Sequence, residues 1–134
     1  MRIGQQIIML LLFLGADTPA TAQKWVPDDM IHQLASGDYD ARIHNGFKRY
    51  HAVCNHCHGP DGLGSTIAPP LVDRLQGIEE FRRIVRAGTG KGTSLMQGFA
   101  KDPNIAPYID DIYLYLEARA AGTLGRGSPA EQSR

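Results

Sequence analysis

Cys54-Asn55-His56-Cys57-His58 decides how the rest of this chain can fold. Two thiols at this spacing can add to the two vinyl groups of one porphyrin, and the imidazole that follows projects beneath the same ring, where its nitrogen can ligate iron. The run would thereby attach, orient and ligate a haem at once. Two other chemistries use a Cys-x-x-Cys pair. A thioredoxin-like dithiol sits at a strand-to-helix junction in a βαβ unit, and no strand pattern precedes Cys54. Structural zinc draws on a second, distant pair of Cys or His ligands, whereas His51 and His56 lie beside the motif itself.

Working outward, Ile43, Phe47, Tyr50 and Cys54 recur at intervals of four, three and four, which predicts a helix with Asp40 as its N-cap that delivers the first cysteine. From Gly59 to Gly77 there are four Gly, three Pro and no period of either kind, so a long loop is expected. A structureless stretch of that length needs something to wrap around, and a haem supplies it. Glu79 and Glu80 open a short second helix with Phe81, Ile84 and Val85 inward, Arg82, Arg83 and Arg86 outward, and Gly88 at its end. Acids first and bases last suit the helix dipole. A second Gly-rich loop, from Gly88 to Gly98, is expected to be flexible and carries Met96; Asp102-Pro103-Asn104 makes a turn. The last helix starts near Pro107, with Asp110 and Asp111 in its first turn. It sets Ile109, Ile112, Tyr113, Leu116 and Ala120 on one face and stops at Gly122. The pattern is all-α, without a convincing strand or repeat.

Met1 and Arg2, the apolar run from Ile7 to Leu14 and the small residues Ala20-Thr21-Ala22 form a secretory signal pattern, which predicts export to the periplasm with cleavage near Ala22. The run falls short of the roughly 20 residues that span a bilayer, so no stable membrane insertion is expected after cleavage. The expected organisation is a signal peptide at 1–22, an N-terminal extension at 23–39, one domain at 40–121 and a flexible tail at 122–134. Lys and Arg number 14 and Asp and Glu 14, a balance that points away from nucleic acid. A domain this small needs a staple, and two cysteines so close together cannot cross-link distant parts of the fold. A large apolar cofactor can serve instead.

Six-coordinate haem iron takes a second axial ligand. Met96 is the one methionine downstream of the motif, in a loop from which its thioether could close over the ring. An ordinary gap-filling role is the competing assignment for Met96, and His32, His44, His51 and His56 or Met30 are the competing ligands. A His/Met pair raises the reduction potential relative to two histidines and leaves no open position for a substrate, which suits an electron carrier rather than an enzyme.

These residues resemble the class I c-type cytochromes over about Asp40 to Ala121. Gly46 and Tyr50 stand eight and four residues before Cys54, as in that family's first helix, and Tyr115-Leu116 resembles the aromatic pair of its last helix. The resemblance implies the cytochrome c fold, one covalently bound haem c wrapped by helices and long loops, and a close crossing of those two helices at the glycine. Ala68-Pro69-Pro70-Leu71 looks like the family's Gly-Pro-x-Leu element, which would make the Pro69 carbonyl the partner of the His58 imidazole. The implied site is Cys54, Cys57, His58 and Met96, with His58 and Met96 on the metal; Gln97 stands where the family often has Pro.

Pro103-Asn104, the run Tyr108 to Leu116, Ala118-Arg119-Ala120 and Gly125-Arg126-Gly127 resemble small periplasmic cytochromes that accept electrons from PQQ-dependent alcohol dehydrogenases, with Ser128 where Arg is expected. That resemblance implies such a dehydrogenase, oxidising methanol or ethanol, as donor, and an oxidase or another cytochrome as acceptor. The alternatives are a general shuttle to a terminal oxidase or reductase and a haem-based ligand sensor. Arg82, Arg83, Arg86 and Lys91 form a candidate docking surface, or simply a solvated helix face.

Overall fold

Three helices carry the structure. It is a computed structural model that describes residues 39–90 and 95–129; the expected signal peptide, the extension up to residue 38 and Lys91 lie outside the described residues. The first helix, α1 (Tyr39–Arg49), begins one residue before the expected cap, so Asp40 sits inside its first turn, where its charge still suits the dipole. The winding then widens into a π-turn (Tyr50–Cys54) and tightens again over Asn55–His58, before Gly59 ends it. Helices α2 (Ile78–Ala87) and α3 (Ile109–Ala120) follow, α3 after a 3-10 turn (Ala106–Tyr108). Every regular element among the described residues is helical, as expected.

The seam of the fold is the crossing of α1 and α3. A Cβ placed on Gly46 would lie 1.9 Å from the Asp111 carbonyl oxygen, so only glycine allows the two backbones to meet. Arg42 and Asn45 donate to the Asp111 carboxylate at 2.7 and 2.8 Å and hold the crossing in register. Tyr50, Ile105, Ile109, Ile112, Leu114, Tyr115 and Leu116 are fully buried around it. Each such aliphatic side chain contributes about 2 kcal/mol by leaving water. Phe47 and Tyr50 each meet the Tyr115 ring at 5.6 Å between centroids.

On the other side of α3, the Phe81 ring packs edge-on against Tyr113 at 5.4 Å. Arg82, expected to face outward, instead reaches across to α3 and pairs with both oxygens of Asp110, at 2.8 and 2.7 Å, while also binding Glu79. Its long stem lets a residue next to the apolar face bridge two helices. Arg83 pairs with Glu80 on its own helix. The loop from Gly59 to Gly77 is less irregular than its composition suggests, since it holds two 3-10 turns, Pro60–Gly62 and Val72–Arg74. The tail is fastened where it leaves α3: Thr123 and Leu124 donate to the Ala118 carbonyl, each at 3.1 Å, and Leu124 packs on the core. Those bonds use a carbonyl that the helix end would otherwise leave without a partner.

Candidate functional site

Cys54 leaves the π-turn half-buried, and Cys57 is exposed one turn later. His58 is half-buried, and its Nδ1 lies 3.0 Å from the Pro69 carbonyl oxygen. A carbonyl only accepts, so the bond puts the proton on Nδ1 and leaves the Nε2 lone pair as the metal-binding atom. The loop is clasped into that position. Ser65 Oγ donates to the Cys57 carbonyl and accepts from the Ile67 amide at 2.9 Å, and the Leu71 amide donates to the Gly62 carbonyl at 2.8 Å.

Burial pushes the Cys54 thiol up to about 11, its backbone hydrogen bond offsetting part of the rise. This is the reverse of the depressed value that activates a dithiol. Among the described residues, no group of three or more His, Cys, Asp or Glu is placed to hold a metal ion of the zinc kind.

Met96 is half-buried and packs on the edge of the core. Its loop, expected to be flexible, is pinned to the end of α2. The Thr89 amide donates to the Met96 carbonyl at 2.9 Å, Thr89 Oγ1 accepts from the Met96 amide at 3.2 Å, and the Phe99 amide donates to the Val85 carbonyl at 2.9 Å. Gly88, at φ +76°, lies so close that a Cβ there would be 2.4 Å from the Met96 carbonyl oxygen. The competing histidines have other engagements. His51 Nδ1 bonds the Phe47 carbonyl at 3.0 Å while its Nε2 faces Asp61, His56 Nδ1 bonds the Val53 carbonyl at 3.1 Å, and the His44 ring stacks on Phe47. His32 and Met30 lie outside the described residues.

Asp61 is a residue that sequence reasoning missed. It is 4% exposed, has φ +57°, and accepts hydrogen bonds from the Tyr115 hydroxyl, the Arg126 guanidinium and the Gly127 amide. Burial alone would raise its pKa. The Tyr115, Gly127 and Arg126 donors and the Arg119 charge outweigh that and hold the carboxyl below the usual range. Its partners lie more than fifty residues away, so no local pattern announces it.

Leu63, Ile67 and Leu95 are the large apolar side chains left exposed among the described residues. All three flank the motif loop or Met96 in the chain, and Val53, Leu71, Val72 and Leu75 are half-buried against the core nearby in sequence. An apolar, iron-bearing ring suits the chemistry of these residues: two thiols three residues apart, an imidazole in the metal-binding tautomer and a soft thioether, with apolar side chains exposed close to them in the chain.

Residues 41–116, more than half of the chain, match the family model described as cytochrome C oxidase, cbb3-type, subunit III. Cytochrome c-555 of Methylococcus capsulatus (strain ATCC 33009 / NCIMB 11132 / Bath) is 35% identical over 95 residues, covering 69% of this chain and 74% of the relative. The chain belongs to the class I c-type cytochromes. Cytochrome c-553I of Paracoccus denitrificans is 41% identical over 102 residues, which cover 72% of this cytochrome and 45% of that one. Among solved structures, the c-type cytochrome XoxG from Methylobacterium extorquens AM1 superimposes with a TM-score of 0.62 at 44% identity, over 66% of this cytochrome and 56% of that chain. The chain thus spans about half the length of c-553I and of XoxG. The cofactor of the family is a covalently attached haem c.

Proposed function

We propose that this cytochrome is a periplasmic single-haem carrier that takes one electron from a PQQ-dependent alcohol dehydrogenase and passes it toward the respiratory chain. Cys54 and Cys57 attach the haem, and His58 and Met96 ligate its iron. The observation that carries the site is the 3.0 Å bond from His58 Nδ1 to the Pro69 carbonyl, which aims Nε2 as a ligand. Bound there, haem c supplies reversible one-electron chemistry at its iron. With haem bound, the His58 imidazole and the Met96 thioether would both serve as iron ligands and leave no place for a substrate at the metal, which suits a protein that relays electrons. Leu63, Ile67 and Leu95, exposed close in the chain to the motif loop and to Met96, would offer apolar cover to such a ring. Among the described residues no helix is long and apolar enough to cross a membrane, and the leader pattern at 1–22 supports export.

The donor assignment rests on the run Tyr108 to Leu116 and on Gly125-Arg126-Gly127. Stopped-flow mixing with a purified PQQ-dependent methanol or ethanol dehydrogenase and its alcohol should reduce the haem rapidly, with the haem still on the chain after acid-acetone extraction. Slow reduction by that enzyme, alongside fast exchange with an oxidase, would favour a general shuttle instead. The match to an oxidase-subunit family model is the observation on that side.

A further inference from the structure

Asp61 is the charged side chain that the described core closes over. Holding an ionised carboxylate out of water is costly unless several donors compensate it. Here they do: Tyr115 Oη at 3.1 Å, with the Gly127 amide and Arg126 Nε at 3.3 Å each. The positive φ at Asp61 belongs to the turn Pro60–Gly62, and glycine would satisfy that turn without any charge. The charge therefore invites a reason beyond the turn. Asp61 follows His58 by three residues, a length of chain that spans at most about 11 Å. The carboxylate and the imidazole that would ligate iron therefore share one short stretch of loop, and a charge held out of water acts over a longer distance than an exposed one.

We propose that the buried carboxylate of Asp61 stabilises the oxidised, more positive state of the iron held by His58, and that Arg126 of the C-terminal segment moderates this field, so that the pair sets the reduction potential of the carrier. This rests on His58 being the haem ligand. Oxidation adds one positive charge at the iron, and a nearby fixed anion favours the state that carries it. Arg126, whose side chain is 68% exposed, opposes the anion through a bond at 3.3 Å, with its own charge partly screened by water. The C-terminal segment thereby becomes part of the redox site instead of a passive end.

The test is equilibrium redox titration, at neutral pH, of the matured haem protein and of its Asp61→Asn and Arg126→Gln variants. Mass and visible spectrum of the wild type come first; a wild type without covalent haem overturns the functional reading itself and this proposal with it. With haem present, Asp61→Asn should raise the potential and Arg126→Gln should lower it by a smaller amount. Both variants weaken the same structural tie, so a purely structural role would shift them in the same direction or not at all, and either result overturns the proposal. If Asp61→Asn does not mature, Arg126→Gln decides alone: a lowered potential supports the proposal, and an unchanged or raised one sinks it.

Discussion

Where α1 crosses α3, side chains close the interior by themselves: Tyr50, Tyr115 and Leu116 are wholly buried and Gly46 lies directly against the Asp111 backbone. In the loops around His58 and Met96 the order comes from another source. Backbone hydrogen bonds and close glycine contacts fix the chain, while Leu63, Ile67 and Leu95 remain exposed. The comparison teaches that the seam closes on its own side chains, whereas the loops keep apolar side chains at the surface close in the chain to the thiols and imidazole that a haem would use. Damage to the first region should cost folding, and damage to the second should cost chemistry.

The largest effect should come from Gly46→Ala. Its methyl would lie 1.9 Å from the Asp111 carbonyl oxygen, so the helices must part, and chemical denaturation of the holoprotein should show a loss of about 3 kcal/mol. Unchanged stability would mean that the seam has slack. Gly88→Ala is the counterpart on the loop side. It forces a side chain into φ +76° and toward the Met96 carbonyl, with strain of about 2 kcal/mol. Helix content should survive by circular dichroism, while the reduced variant should bind carbon monoxide where the wild type does not; a variant still closed to carbon monoxide would show that the loop does not position Met96.

Arg82→Gln should have the smallest effect, about 1 kcal/mol or less, because the pair it breaks is partly exposed. Its signature is in acid. The Arg82 guanidinium, with burial partly opposing it, holds the Asp110 carboxyl below the usual range. The stability this contributes is complete above the unfolded carboxylate value of about 3.9 and is lost as the pH falls through the lower folded value. An acid titration of Arg82→Gln should therefore lose less stability below about pH 4 than the wild type does. Equal losses would mean that the α2–α3 ion pair is idle.

The two regions were not equally legible in the sequence. Periodicity located all three helices, because the buried face of each repeats at helical spacing, and the Gly46 crossing followed from family resemblance. The Pro69 bond to His58 was implied in the same way, and the structure has it. What escaped were polar contacts across the fold. Arg82 read as an outward residue because its helix alone offers it only Glu79, while its stronger partner, Asp110, is 28 residues away. The Asp61 cluster depends on a turn conformation and on donors from α3 and the tail, neither of which leaves a periodic trace. The pinning of the Met96 loop was hidden because glycines that read as flexibility were there to let backbones touch.

The widened turn at Tyr50–Cys54 separates the aim of the haem motif from the packing of the bundle. A π-turn winds one residue more than an α-helix uses, and each residue of α-helix advances the side chain by about 100°. The direction in which Cys57 and His58 point is therefore offset in phase from the stripe that α1 presents to α3. The stripe that α1 presents to α3 and the direction of His58 are thus set by successive turns of one winding, joined through Tyr50, which packs on Tyr115 from inside the widened turn.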